Sequence, residues 1–220
     1  MNEEQLREIA FAFLQNNRVN RFLRSLQLSQ DERLRDLLDS IRNNRYTKGR
    51  YSGLNENMLR EIICQLREQF HDLENISVEA WNNQQVVDRI AQAHFFVKNQ
   101  LINKLELKNS SWSIVGQIIN FVFGDIPVIN NHLKRDMHEA GYLLQMQTTD
   151  IKKILSSIRN FYNANQEKIH SISDKIGEFA LLGIIDNLPL TFPENMLISI
   201  VLMFIHEFLF TDWNKGNELK

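Results

Sequence analysis

Residues 137–179, MHEAGYLLQMQTTDIKKILSSIRNFYNANQEKIHSISDKIGEF, contain the longest regular pattern in the chain. Alternating steps of four and three residues from Met137 to Phe179 visit thirteen positions, ten of which are apolar. The overall hydrophobic content of 43% would give only about six. This alternation is typical of the seam between supercoiled helices. It predicts one elongated, heptad-bearing helix, or a helix pair, over about residues 126–185.

The small number of glycine and proline residues indicates that the rest of the chain is helical as well. Only 8 Gly and 3 Pro occur in 220 residues, whereas strands and hairpins need frequent turns. The hydrophobic and charged contents, 43% and 24%, are ordinary for a globular protein. We therefore expect an all-α fold, a multi-helix bundle that contains the elongated helix.

Side chains that can cap a first helical turn mark the helix starts and the domain organisation. Ser29, with Glu32 three residues later, fits a capping box, and Ser77 can cap a long helix that runs to about Lys108. The capped helices before residue 75 predict a small N-terminal helical subdomain, residues 1–75. The main helical bundle would then be residues 76–220, with one continuous domain as the alternative.

A second apolar segment, SWSIVGQIINFVFG, precedes the elongated helix. Gly124 closes this segment, because glycine is the usual residue just past a helix end. Asp125 and Pro127 can start the next helix, since proline fits a first helical turn. The sequence thus predicts a helix that begins near residue 126.

The C-terminal part is the most apolar. Residues 196–210, MLISIVLMFIHEFLF, follow the apolar segment FALLGII and a turn, which together predict a helical hairpin. Soluble pore-forming proteins hide such hairpins, so residues 177–212 could perturb membranes; a buried core hairpin is the alternative. The purest run has ten residues, fewer than the about 18–20 that a span requires. The short apolar run therefore favours a buried core hairpin over a membrane-inserting one.

The seam itself predicts a protein-binding surface. We expect it to pack against a second copy of the chain or against another protein, with the polar Asn165 fixing the register. The partner-binding candidates are Ile151, Leu155, Ile158, Tyr162, Asn165 and Ile169.

One short motif suggests catalysis. The stretch RIAQAH, from Arg89 to His94, resembles the arginine–histidine motif of HEPN-type ribonucleases, which are helical-bundle proteins. The resemblance implies a metal-independent ribonuclease in which Arg89 and His94 act at the scissile phosphate. His94 also falls on the apolar face of its predicted helix, so a buried structural histidine is the alternative.

The loop RNNRYTKGRYSG, residues 42–53, could bind single-stranded nucleic acid. It carries four basic residues and no acid, and a tyrosine ring such as that of Tyr51 could stack on a base. A solvated linker is the alternative, and the net charge of −2 does not indicate a general nucleic-acid binder. The candidate residues are Arg42, Arg45, Tyr46, Lys48 and Arg50.

No metal or cofactor site is expected. His132, Asp136 and Glu139 could share a helix face, but a solvated polar face explains them better. The single cysteine, Cys64, lies in an apolar helical context that predicts a core residue, and it indicates a reducing compartment. No secretory signal opens the sequence, so we expect a cytoplasmic protein.

These patterns favour a non-enzymatic interaction or assembly module whose partner is a protein or a second copy of the chain. A membrane-perturbing effector and a ribonuclease are the two rival hypotheses. Nucleic acid is a further candidate partner, and no small-molecule substrate is predicted.

Overall fold

A computed structural model describes residues 28–181, except residues 45, 46, 48 and 125, together with Glu4 and Arg7. This part of the chain contains six α-helices, two short 3-10 helices and no strand, which confirms the all-α prediction for it. The α-helices are α1 (Gln30–Arg42), α2 (Glu56–Gln69), α3 (Gln84–Leu105), α4 (Trp112–Phe123), α5 (Asn131–Glu139) and α6 (Ile151–Leu181). The 3-10 helices are η1 (His71–Leu73) and η2 (Val78–Asn82).

The starts of α1 and α3 show how local chemistry sets the helix boundaries. At α1 the capping box is confirmed, because the Ser29 hydroxyl accepts from the Glu32 N–H and the Glu32 carboxylate accepts from the Ser29 N–H. At α3 the predicted start was too early. Ser77 precedes η2, and the Asn83 side chain, which accepts from the Gln85 N–H, caps α3.

A cluster of buried apolar side chains draws on all six described helices. Helix α3 lies at its centre and packs against α2, α4 and α6, while α1 packs against α2 and α4. Apolar residues spaced by three and four positions on α2 and α3, such as Leu59 and Ile63 or Val87 and Ile90, lie in this cluster. Helices on both sides of residue 75 therefore contribute to a shared core in the described part of the chain.

The segment between α4 and α5 corrects one predicted helix start. Gly124 ends α4 with a positive φ of 62°, as expected, but the next helix begins at Asn131 and not near residue 126. The intervening chain crosses α4 so closely that a Cβ on Gly116 would lie 2.8 Å from the Ile129 backbone N. Ile126 and Ile129 of this non-helical segment are also buried, so it contributes to the core.

The elongated helix predicted for residues 126–185 is interrupted. Helix α5 ends at Glu139, Gly141 has a positive φ of 79°, and α6 begins at Ile151. The Asp150 carboxylate accepts from the Lys152 N–H, which caps α6. The connection, residues 140–150, is a loop, although Gly141, Leu144 and Thr148 fit the seam spacing. The 31 residues of α6 still form the longest described helix.

The predicted C-terminal hairpin lies almost entirely outside the described residues, since the description ends at Leu181. The membrane hypothesis for residues 177–212 therefore stays a prediction. Among the helices that the structure describes, none is both long enough and apolar enough to cross a bilayer.

Candidate functional site

The structure places the two candidate ribonuclease residues apart. Five positions separate Arg89 from His94 on α3, which is about 140° around a helix of about 3.6 residues per turn. His94 is completely buried, and its Nδ1–H donates to the Ile90 carbonyl at 2.9 Å. Burial lowers the pKa of His94 to about 4, so the imidazole is neutral at pH 7.

Arg89 lies at the surface, where its guanidinium is already engaged. Its Nε donates to the Asp72 carboxylate at 2.9 Å, and its Cζ lies 4.4 Å from the centre of the Phe70 ring. Arg89 lowers the pKa of Asp72 through this hydrogen bond. A phosphate at the Arg89 surface would not reach the buried His94 in this arrangement.

The basic loop is only partly described, because Arg45, Tyr46 and Lys48 lie outside the described residues. Arg42 donates from Nε to the Leu54 carbonyl at 2.7 Å, and Arg50 is exposed. The Tyr51 ring, which the sequence suggests for base stacking, is fully buried. Its hydroxyl pairs with Ser110 Oγ at 2.8 Å and accepts from the Ser111 N–H at 2.7 Å. Tyr51 therefore joins this loop to the α3–α4 connection, and the nucleic-acid hypothesis stays a prediction.

Two expectations about polar side chains need correction. Asp136 was expected on a solvated face, yet it is buried and bonded to the Arg135 guanidinium at 3.1 Å. Cys64 was expected in the core but is exposed on α2. Within the described residues, no group of three or more His, Cys, Asp or Glu side chains is placed to hold a metal ion.

The seam residues of α6 face the chain's own core. Helix α6 packs against α3, α5 and η2. The five apolar partner-binding candidates are each at most 1% exposed: Ile151, Leu155, Ile158, Tyr162 and Ile169. Binding of a partner through these side chains stays a prediction, and it would require α6 to separate from its neighbours.

The polar seam residue, Asn165, also has partners within the chain. Its Nδ2 donates to the Tyr142 hydroxyl at 3.1 Å and to the Phe161 carbonyl at 2.8 Å. Asn165 thereby connects α6 to the loop of residues 140–150, and its predicted role in fixing the register with a partner stays a prediction.

A buried tyrosine organises a polar junction between η2 and α6 that the sequence pattern did not reveal. The Tyr162 hydroxyl donates to the Glu79 carboxylate and accepts from His170 Nε2 at 2.9 Å. Burial pushes the pKa of Glu79 upward, but hydrogen bonds, chiefly that from Tyr162, hold it below the usual value. Because two distant segments must meet to form this junction, it has no local sequence signal.

Hydrogen bonds and a ring contact hold the first residues of the loop 140–150 against α5 and α6. The N–H groups of Tyr142 and Leu143 donate to the Met137 carbonyl at 2.9 and 3.0 Å, and His138 Nδ1 donates to the Leu143 carbonyl at 2.7 Å. The Tyr142 ring packs edge-on against Phe161, with 5.3 Å between the ring centres. These contacts fix the backbone directly before Leu144.

Leu144 is 91% exposed beside an open cleft of about 430 Å³. We call this feature the Leu144 cleft. Its lining comes from residues 142–145 and Thr148 of the loop and from Lys152, Lys153, Ser156, Ser157 and Asn160 of α6. The volume lies in the range of ligand pockets, about 300–1,000 Å³. The lining side chains are mostly polar, and two of them, Lys152 and Lys153, are cationic.

The charged side chains of the lining, Lys152 and Lys153, are both cationic, and each pairs with a carboxylate beside the cleft. Lys153 Nζ lies 3.7 Å from the Asp150 carboxylate, and Lys152 Nζ lies 2.8 Å from the Asp88 carboxylate on α3. Because these ion pairs are largely solvent-exposed, they contribute little to stability and their charges stay accessible to a partner.

Phe95 is the other large apolar side chain that the described part of the chain exposes, at 45%. Its ring packs edge-on against Trp112, with 5.5 Å between the ring centres, and Lys98 Nζ lies 4.4 Å from the centre of the Trp112 ring. Phe95 is therefore covered in part by its own chain, which leaves Leu144 as the more accessible apolar group.

In comparisons with known proteins, no family model, curated protein or solved structure matches this chain.

Proposed function

We propose that this chain is a non-enzymatic, α-helical interaction module that binds a protein partner or a second copy of itself. The observation that carries the proposal is the 91% exposure of Leu144 on a loop whose backbone is held by hydrogen bonds. Ordering such a loop on binding costs little conformational entropy, since it is already fixed in the free chain. An aliphatic side chain can anchor a protein interface when it enters a recess of the partner.

The Leu144 cleft is a more accessible binding surface than the α6 seam. A partner that contacts Ile158 would first have to displace the helices that cover it, and this would expose a large part of the core. Leu144 can be contacted with no rearrangement. We therefore assign the primary interaction to the Leu144 cleft and not to the seam.

The apparent mass of the chain in a cell lysate tests the proposal. The full chain, with a small tag, would be expressed at low level in its own cells, and its apparent mass in a lysate determined by gel filtration. We expect a species larger than the 26.0 kDa monomer that returns to monomer size on Leu144→Asp. The matched control is Gln147→Glu, which adds a negative charge to the same loop at an exposed position outside the cleft lining. A wild-type chain that elutes as a monomer would refute the proposed function.

A further inference from the structure

We propose that the occupant of the Leu144 cleft is a second copy of this chain, docked about a two-fold axis. The inference rests on the proposed function and names its partner. It combines three features of the described residues: a protruding leucine, an open cleft next to it, and a local charge pattern of mixed sign.

The first argument is geometric. In a two-fold contact the same surface serves on both subunits, so each contact that one chain makes is returned by the other. Such a surface must carry both a protrusion and a recess. Leu144 protrudes and the cleft is beside it, so rotation by 180° can place Leu144 of each copy against the cleft of the other.

The second argument is electrostatic. A surface with charges of one sign repels its own copy, whereas one with both signs can pair with it. Lys153 and Asp150 lie next to each other with side-chain exposures of 73% and 46%, and their distance of 3.7 Å is long for an ion pair with direct hydrogen bonding. Across a two-fold axis, each Lys153 can pair with Asp150 of the other copy. A strongly acidic or basic partner would gain less from this balanced pattern.

The third argument concerns rigidity. The hydrogen bonds to the Met137 carbonyl and from His138 hold the loop in one position, and Tyr142 is fixed against α6. Both the protrusion and the recess are thus formed before association. We therefore expect dimerisation without a change in helical content.

Sedimentation velocity of the purified full chain tests this inference. The single cysteine of the chain, Cys64, is exposed on α2, so one dye can be attached and the protein followed over a wide range of dilution. We expect a reversible monomer–dimer equilibrium. Leu144→Asp should raise the dissociation constant by about tenfold or more, because it puts a carboxylate in place of the apolar anchor. Leu144→Met, which keeps the size and polarity of the side chain, should keep the dissociation constant within about threefold.

Two further variants separate charge from shape. Lys153→Glu should weaken the dimer, because it places carboxylates of both copies against each other, and the loss should shrink at high salt. Gln147→Glu should leave the dissociation constant unchanged. Circular dichroism spectra of all variants should match, since every altered side chain is exposed.

A wild-type chain that stays a monomer at all concentrations would overturn this inference. A dimer that Leu144→Asp leaves intact would also overturn it, since another surface would then be responsible. If the purified chain is a monomer but the lysate species is larger and depends on Leu144, the proposed function holds with a different protein as partner. If both are monomers, both proposals fail.

Discussion

Shortening Ile158 to alanine should destabilise the chain strongly, because the structure places this seam residue in the intramolecular core. Ile158 is 0% exposed on α6. The substitution removes three carbon atoms, each worth about 0.8 kcal/mol when buried, so the transfer contribution is about 2.4 kcal/mol. The cavity left behind adds to this, and such substitutions cost about 2–5 kcal/mol in total.

Leu144→Ala is the matched comparison, since it shortens another aliphatic residue by a similar amount. Leu144 is 91% exposed, so its truncation should change the free energy of unfolding by less than about 0.5 kcal/mol. Urea unfolding followed by circular dichroism gives both values. The measurements should be made at concentrations where the protein is a monomer.

Two results would refute this reasoning. A loss below about 1 kcal/mol for Ile158→Ala would mean that the side chain is not packed as described. A wild-type free energy of unfolding that rises with protein concentration, in contrast to a concentration-independent value for Ile158→Ala, would mean that the seam is covered by a second chain.

Three further substitutions test individual contacts. The His94 pKa of about 4 lies below the ordinary 6.5, so the unfolded chain binds the proton more tightly and stability falls as the pH falls from 6.5 to 4. Between pH 6.5 and 4, His94→Gln should therefore lose up to about 3 kcal/mol less of its free energy of unfolding than the wild-type chain. If the variant and the wild type show the same pH dependence of stability, the burial of a neutral His94 is contradicted. Gly116→Ala should destabilise by about 1–3 kcal/mol, because its Cβ would lie 2.8 Å from the Ile129 N; a thermal scan that shows stabilisation would disagree. Tyr51→Phe should cost about 1–3 kcal/mol in urea unfolding, since the Ser111 N–H loses its acceptor, and a neutral result would contradict this.

Local patterns in the sequence predicted much of the helical fold. Capping at Ser29 and the helix end at Gly124 depend on neighbouring residues only, so the sequence contains the necessary information. The inward position of His94 follows from helical spacing, and the structure buries it as one of the two alternatives allowed.

The loop before α6 and the burial of Tyr51 were not predictable in this way. Leu144 fits the seam spacing, yet Gly141 ends the helical path before it and Asp150 restarts the helix after it. Spacing alone cannot distinguish a seam leucine from one in a loop. In the same way, the burial of Tyr51 depends on Ser110, 59 residues away in the sequence, and this partner has no local signal.

Photo-crosslinking from position 144 tests the central claim most directly. A photoreactive phenylalanine analogue would replace Leu144 in the full chain, with the same analogue at Gln147 as the control, and the products would be weighed after irradiation. We predict an adduct of about twice the 26.0 kDa chain mass from position 144, formed much more efficiently than from position 147. No adduct from position 144, or equal yields from both positions, would contradict the claim that this surface binds a partner.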